Sequence, residues 1–290
     1  MRPRSRLVGA LATVLAVLAG VLVLPQPASA ATTLIYATFK GDSAADEELW
    51  IYQSTNGGTS YSTLVDTNFH GPTGVLRDPS ILKYNGVYYA AYTVQSWTTN
   101  STYFNIASST NLTSWTNIAS IPAGVTNANY SWAPEFYTGD GTVKLITSVA
   151  TSSASYIFRP YVYTAQNSSL TSWSGPAQMW GLGTNHIDTF VVKSGSTWHA
   201  FTKNETTKYI EHWTTTANLT EGWVNQGTLF ASGYEGPSLV KLDDGSWRMY
   251  VDHYSVGDGI YTATSTDLNT WTSLSPITCS GCRHGTAIAK

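Results

Sequence analysis

The stretch "STNLTSWTNI", residues 109–118, decides the fold because related phrases recur along the whole chain. The other copies are "STNGGTSYSTL" (residues 54–64), "NSSLTSWSGP" (167–176), "TANLTEGWVNQG" (216–227) and "STDLNTWTSL" (265–274). Each copy carries one aromatic anchor, in order Tyr61, Trp115, Trp173, Trp223 and Trp271. The anchors are 48 to 58 residues apart. Five copies at a period near fifty indicate five structural units.

The residues between the copies form short runs with strand character. Examples are "GVYYAAYTV", "TVKLITSVA", "STWHAFTK" and "GSWRMYVD", each bounded by Gly, Asn, Asp or Ser. Helical periodicity is almost absent. Four short strands in a unit of about fifty residues are typical of a propeller blade. We therefore predict an all-β, five-bladed β-propeller, in which the phrase joins the two outer strands and its aromatic residue packs into the neighbouring blade.

The two ends of the chain are predicted to complete one blade together. The last segment, "HGTAIAK" (284–290), has the pattern of an innermost strand. The outer strands would come from "TLIYATFK" (33–40), "ELWIYQST" (48–55) and "YSTLVDT" (61–67). Joining the first and last segments in one sheet closes the ring and removes free edges. A single domain over residues 31–290 follows.

A second set of matches precedes the first hairpin of each unit. The segments are "RDPSIL", "APEFYT", "IDTFVV", "EGPSLV" and "HGTAIA", which carry Asp78, Glu135, Asp188, Glu235 and His284. In a propeller the first strand of every blade lines the central channel, so these five side chains should converge at one hub. Four of the five are acidic in a chain with only 11% charged residues. Independent polar caps on five strands are the alternative, and they would not explain this acidic excess.

Crowded carboxyls of this kind cannot all ionise at their solution pKa. Neighbouring negative charges and desolvation raise the pKa of the more buried member, so one carboxyl accepts protons while another donates one. Cleavage of a glycosidic bond requires this division, because an acid must protonate the leaving oxygen while a base deprotonates water on the opposite face.

At this point the sequence resembles glycoside hydrolase family 43, whose members are five-bladed propellers with an Asp, an Asp and a Glu at the axis. The matching strings are "LRDPSI", "HIDTF" and "YEGPSLV", with "WAPE" and "RHGT" also similar. The resemblance implies that Asp78 is the general base, Glu235 the general acid and Asp188 the carboxylate that modulates the pKa of the acid and orients it. The family inverts configuration, which implies that the carboxyls of Asp78 and Glu235 lie about 6.5–9.5 Å apart.

Other residues are candidates for substrate binding. Trp132 could form a sugar platform or pack in the core, and Arg159 could contact substrate or form a structural pair. His186 is predicted to share a strand face with Asp188, and Arg283 belongs to the "RHGT" string. Glu135 is expected to be a structural partner. No cofactor is required, although His284 is a candidate ligand for water or for an axial Ca²⁺ or Na⁺ ion, as in some relatives.

The N-terminus has the order of a secretory signal. Basic "MRPRSR" is followed by an apolar run from Leu7 to Leu24 and by "PASA", which predicts cleavage after Ala30 and a secreted, extracellular protein. A retained membrane anchor is the alternative. Cleavage leaves 12 basic and 18 acidic residues without a basic cluster, so nucleic acid and membrane are excluded as partners. For Cys279 and Cys282 an exported setting favours a small disulfide loop.

Two classes of function follow. The first is an inverting glycosidase acting on carbohydrate, foremost an exo-acting α-L-arabinofuranosidase, with a β-D-xylosidase, an endo-arabinanase or a galactofuranosidase as alternatives. The second is a non-catalytic, glycan-binding propeller, which predicts the loss of at least one of the three carboxylates. All three are present. We expect a monomer that binds a pentose- or furanose-containing polysaccharide.

Overall fold

The computed structural model describes residues 31–95, 101–151 and 157–290. Within these ranges the chain forms twenty β-strands in five four-stranded antiparallel sheets and no α-helix. Accordingly, the described residues include no helix that could span a bilayer. The predicted signal segment, residues 1–30, lies outside the described residues.

The strands follow one another along the chain. The first three are β1 (Leu34–Thr38), β2 (Trp50–Ser54) and β3 (Ser62–Asp66). The next sheet contains β4 (Arg77–Tyr84), β5 (Val87–Thr93), β6 (Tyr103–Ser109) and β7 (Thr116–Pro122). It is followed by β8 (Tyr130–Tyr137), β9 (Lys144–Ala150), β10 (Phe158–Ala165) and β11 (Trp173–Gln178). The fourth sheet contains β12 (His186–Ser194), β13 (Thr197–Asn204), β14 (Ile210–Thr215) and β15 (Val224–Leu229). The chain ends with β16 (Glu235–Lys241), β17 (Trp247–Asp252), β18 (Ile260–Ser265), β19 (Ser275–Pro276) and β20 (Gly285–Ala289).

The five sheets form a ring closed by the two ends of the chain. The first sheet has the order β20-β1-β2-β3, and β20 pairs with β1 from Leu34 opposite Ala289 to Thr38 opposite Gly285. The inner strands β20, β4, β8, β12 and β16 contact one another in turn around the axis. The protein is therefore a five-bladed β-propeller, and the predicted fold class and closure are confirmed.

The recurring phrase forms the turn between the third and fourth strands of a blade. In three copies a leucine adopts positive φ, at Leu112 (66°), Leu170 (55°) and Leu268 (64°). The indole Nε1 of the following tryptophan donates to the carbonyl of that leucine in each, as Trp115 does over 2.9 Å. Because φ values near +60° are unfavourable for leucine, this hydrogen bond and the burial of both side chains stabilise the turn.

The aromatic anchors pack against the neighbouring blade, as the sequence predicts. Trp115 lies in a buried cluster with Ile51 of the first blade. Trp271 places its edge on the ring of Phe201 of the fourth blade, with 5.6 Å between centroids. Each such contact fills the space between two sheets with apolar side chains. Burial of apolar surface is the main favourable contribution to folding.

A histidine pair lies inside the fourth blade. His199 on β13 and His212 on β14 are hydrogen-bonded, with Nδ1 of the first 3.0 Å from Nε2 of the second. The ring of Phe201 stacks on His212 with a centroid distance of 4.7 Å. Burial and, to a smaller extent, the neighbouring His199 lower the pKa of His212 to about 4, against an opposing contribution from Asp267. Both rings therefore remain neutral at neutral pH.

This pair predicts a loss of stability in acid. An unfolded histidine titrates near pH 6.5, so below that pH the unfolded chain takes up a proton that His212 refuses. The contribution is lost progressively as the pH falls from about 6.5 to about 4, with a limit of about 3 kcal/mol. Urea unfolding measured across this interval should show a shallower pH slope for His212→Gln than for the parent protein. Equal slopes would contradict the assignment.

Candidate active site

A β-bulge in each of four inner strands shapes the hub. Pairing is interrupted between Arg77 and Ser80, and in the same way in β8, β12 and β16. In each strand the residue that follows the last regularly paired one occupies the bulge position and has positive φ. These residues are Asp78 (48°), Ala133 (46°), Asp188 (55°) and Gly236 (60°). The extra residue breaks the alternation of the strand, so consecutive side chains, such as Arg77 and Asp78, line the same cavity.

The five predicted hub residues are not at equivalent positions, which corrects the sequence-based superposition. Asp78 and Asp188 occupy the bulge position. Glu235 lies one residue before the bulge position of its strand, as Arg77 does in β4. Glu135 lies two residues after the bulge position of its strand, as Ser80 does in β4. The cause is the bulge, because it inserts a residue that a superposition of short strings does not reveal.

A cavity of about 140 Å³ lies at the hub. Of the predicted site residues, Asp78, Trp132, Asp188, Glu235, Arg283 and His284 line it. Its other lining residues are Arg77, Thr93, Gln95, Ile187, Lys203, Glu205 and Tyr254. The three carboxyls that the family resemblance singled out therefore share one cavity, although they lie 47 to 157 residues apart in the chain.

His284 connects three carboxyls at the axis. Its Nδ1 lies 3.6 Å from Asp78 Oδ1 and 3.9 Å from Asp188 Oδ2, and its Nε2 lies 3.6 Å from Glu135 Oε1. Burial disfavours the charged ring, but the carboxylates of Asp188, Glu135 and Asp78 outweigh burial and raise the pKa of His284 to about 10. His284 is therefore an imidazolium that partly neutralises the hub.

Asp188 is the buried carboxyl of the group. Its Oδ2 accepts a hydrogen bond of 3.1 Å from the backbone N–H of Gly236. Desolvation, together with the negative charges of Glu235 and Asp78, raises the pKa of Asp188 to about 7, while the positive charges of His284 and Lys203 oppose the shift. A carboxyl titrating near neutrality beside Glu235 has the property that a proton reservoir requires.

Glu235 is held by cations. Lys203 Nζ lies 2.9 Å from Glu235 Oε2 and 3.0 Å from Glu205 Oε2. The ammonium also lies 4.0 Å from the ring centre of Tyr254. Burial opposes the charge of Lys203, yet Glu235, Asp188 and Glu205 together raise its pKa above the ordinary lysine value. Arg283 is more distant, because its Nη2 atom lies 3.8 Å from Glu235 Oε1.

Arg283 is fixed by the chain around it. Its Nε donates to Asp252 Oδ2 over 2.8 Å, and its backbone N–H donates to the carbonyl of Phe39 over 3.1 Å. Immediately before it, Cys279 and Cys282 form a disulfide, so the loop expected from the sequence is confirmed. The disulfide limits the conformations of the segment that delivers Arg283 and His284 to the hub.

Three predicted site residues do not line the cavity. Arg159 lies on β10 in the outer part of the third blade. The Nε2 atom of His186 lies 3.0 Å from Glu211 Oε2, and the ring contacts Trp213 edge-on. The positive φ of Asp188 breaks the alternation that would have placed His186 on its face. Glu135 is buried below the cavity, where Oε2 accepts a 3.1 Å hydrogen bond from Thr286, as expected of a structural partner.

The hub does not fit an axial metal ion held by His284. A protonated imidazole has no lone pair to donate, and its charge already offsets part of the charge of the surrounding carboxylates. Among the residues that the structure describes, no three His, Cys, Asp or Glu side chains are arranged as metal ligands. No chemical step is therefore assigned to a metal.

Sequence reasoning missed Lys203 and Asp252. Lys203 is the last residue but one of β13, and Asp252 is the last residue of β17. Each pairs with the residue before the bulge of its blade, Ile187 and Glu235 respectively. The signal was available, because "STWHAFTK" and "GSWRMYVD" each close a buried apolar run with a charged residue. A charge at such a strand end is a recognisable sign of a site at the mouth of the propeller.

Gly236 predicts a stability effect of its own. A Cβ atom at this position would lie 2.4 Å from His284 Cδ2, and φ is +60°. Gly236→Ala should therefore lower the free energy of unfolding by about 2–5 kcal/mol, the sum of a left-handed backbone and an overpacked core. Chemical denaturation measures the effect.

Gly245→Ala is the matched control. Its φ is +85°, yet no atom lies within 4 Å of the added Cβ. Only the backbone term of about 1–2 kcal/mol remains there. Equal losses for the two variants would show that Gly236 and His284 are not in close contact.

The fold and the acidic cavity define a class, namely five-bladed propellers that act on glycosidic bonds. A family model described as "Probable glycosyl hydrolase domain", related to family 43, matches residues 30–289. The chain belongs to this family, and it is a glycoside hydrolase domain of the family 43 type. Among curated proteins, none matches the chain.

Solved structures of low sequence identity share the propeller. The GH43 enzyme from Xanthomonas citri, complexed with xylotriose, aligns with a TM-score of 0.55 at 13% identity, covering 68% of this chain and 72% of its own. The α-L-arabinanase from Penicillium chrysogenum, complexed with arabinobiose, gives 0.51 at 15% identity, covering 71% and 67%. The exo-β-1,3-galactanase from Phanerochaete chrysosporium, with galactose, gives 0.54 at 15% identity, covering 69% and 50%. At these identities the likeness shows the fold.

Proposed function

We propose that this protein is an inverting, exo-acting glycoside hydrolase, foremost an α-L-arabinofuranosidase. The observation that carries the proposal is the convergence of Asp78, Asp188 and Glu235 on one cavity of about 140 Å³. A cavity of this size supports a terminal sugar as the bound group rather than a run of chain. Trp132 and Tyr254 line the cavity, and aromatic rings of this kind can pack against a sugar.

The proposed reaction is a single displacement. Glu235 donates a proton to the leaving glycosidic oxygen while Asp78 takes a proton from a water molecule that attacks the anomeric carbon from the opposite face. The carbon–oxygen bond to the leaving group breaks as the bond to water forms. We expect the two carboxyls to lie about 6.5–9.5 Å apart, which leaves room for that water. Asp188 would return a proton to Glu235 and keep it oriented.

The substrate assignment is tested by a panel of sugars. Purified protein is assayed with nitrophenyl α-L-arabinofuranoside, β-D-xyloside and β-D-galactofuranoside and with arabinan, and Asp78→Asn, which lacks the proposed base whatever the leaving group, serves as the matched blank. The proposal expects the arabinofuranoside to have the highest kcat/KM. A preference for the xyloside, the galactofuranoside or internal bonds of arabinan would assign one of the three alternative activities. No hydrolysis of any substrate would contradict a catalytic role.

We also propose that the protein is exported and acts as an extracellular monomer. The support is the basic, apolar and small-residue order of residues 1–30, which precede the propeller. Expression of the full chain with subsequent N-terminal sequencing of the medium should find Ala31 as the first residue. Recovery of the full chain in the membrane fraction would instead support a retained anchor.

A further inference from the structure

We propose that Lys203 is a positioning residue that controls the protonation of Glu235, and that Glu205 competes with Glu235 for its ammonium. The inference rests on the proposed function of Glu235 as the general acid. Its basis is geometric, since one buried ammonium lies within 3.0 Å of an oxygen of each carboxylate. Nothing in the family resemblance pointed to either residue.

Lys203 cannot avoid this contact. Only 3% of its side chain is exposed, and it lies one residue before the end of β13, with its ammonium beside the ring of Tyr254. A buried ammonium without an anionic partner is strongly unfavourable, so it must pair with whichever carboxylates the cavity offers. Glu205 and Glu235 are exposed by 22% and 19%, so both remain accessible to water and to substrate.

The contact also distinguishes the two oxygens of Glu235. Oε2 receives the hydrogen bond from Lys203, whereas Oε1 faces the guanidinium of Arg283 at 3.8 Å, beyond hydrogen-bond distance. An oxygen that accepts a hydrogen bond from an ammonium is the less favourable site for a proton. The proton donated to the leaving oxygen is therefore carried on Oε1.

The charges around Glu235 act in both directions. Lys203 and Arg283 favour its ionised form. Asp188 and Asp252 both interact electrostatically with Glu235 and favour its protonated form. The ring of His284 lies 3.9 Å from Asp188, and its positive charge offsets the negative charge of that carboxylate. Lys203 is the nearer of the two cations to Glu235, and its effect depends on how far Glu205 draws the ammonium away.

The arrangement predicts opposite shifts from neighbouring substitutions. Lys203→Met removes the ammonium and should move the titration midpoint of Glu235 upward by about 1–3 units. Glu205→Gln leaves the ammonium to Glu235 alone and should move the midpoint downward. Lys203→Arg keeps the charge and should stay close to the parent value. A merely structural role for Lys203 would not produce shifts of opposite sign.

The measurement is a carboxyl titration by ¹³C NMR. The chain contains seven glutamates, so selective ¹³Cδ labelling gives a sparse spectrum, and the signal absent from Glu235→Gln assigns Glu235. An unmoved midpoint in Lys203→Met, or shifts of the same sign in Lys203→Met and Glu205→Gln, would overturn the inference. Thermal unfolding of each variant confirms that it is folded.

Enzyme kinetics provide the second readout and separate the two claims. If Glu235 is the general acid, the alkaline limb of kcat/KM should follow the NMR midpoint, upward in Lys203→Met and downward in Glu205→Gln. If the NMR midpoints of Glu235 shift but the alkaline limb of kcat/KM does not, Glu235 is not the general acid. The control of its protonation by Lys203 would still stand. Unshifted midpoints would overturn that control whatever the activity.

Discussion

Asp78→Asn is expected to lower kcat by about 10²–10⁴-fold, the contribution typical of a general base. Asparagine keeps the shape of the side chain and tolerates the φ of +48° at this bulge, so the fold should be retained. The loss should fall on kcat more than on KM, because the amide still fills the cavity but no longer accepts a proton from water. Steady-state kinetics on the best substrate of the panel measure it.

Rescue by an external nucleophile distinguishes a lost base from a damaged site. Asp78→Gly suits the same positive φ and opens space beside the anomeric carbon. Azide, which attacks without giving up a proton, should restore turnover in this variant and yield a glycosyl azide of inverted configuration. Retention of more than a tenth of parent activity by Asp78→Asn would contradict its assignment as the base.

Glu235→Gln is expected to lower kcat by about 10²–10⁴-fold on substrates with a sugar or alkyl leaving group. Such a leaving group departs as an alkoxide unless it is protonated, and the amide of glutamine is too weak an acid to transfer a proton to it. On nitrophenyl glycosides the loss should be far smaller, because a nitrophenolate departs without protonation. The ratio of the two losses is the signature of a missing acid.

Glu205→Gln is the matched control for this signature. Glu205 lines the same cavity and contacts the same lysine as Glu235, but no proton donation is assigned to it. At a pH at which Glu235 is protonated in both proteins, substitution of Glu205 should change the rates on both kinds of substrate by the same factor. Equal losses on both kinds of substrate for Glu235→Gln would contradict its role as the acid.

Much of the fold could be predicted because its signals are local and repeated. An Asn-Gly pair is typical of a tight hairpin turn, and Asn85–Gly86 connects β4 and β5 with φ values of 51° and 79°. The spaced aromatic residues predicted the number of blades. The closing strand was predictable because "HGTAIAK" has the pattern of an innermost strand and matches the strings that open the other inner strands.

The detail of the hub could not be predicted in this way. A residue with positive φ is usually marked by glycine, but the bulges at Asp78 and Asp188 carry aspartate. The assumption of alternating side chains therefore placed His186 on the wrong face of its strand. Alignment of the short strings did not reveal that Glu135 lies deeper than Asp78. The contact between Lys203 and Glu235 joins two blades over 32 residues of sequence, a distance at which local patterns carry no information.

The configuration of the first product tests the central claim most directly. Proton NMR recorded during the first minutes of hydrolysis reports the anomer released before mutarotation. The account predicts an inverted product, since water activated by Asp78 attacks opposite the bond that Glu235 protonates. A first product that retains the configuration of the substrate would contradict it, because retention requires a covalent intermediate and a closer pair of carboxyls.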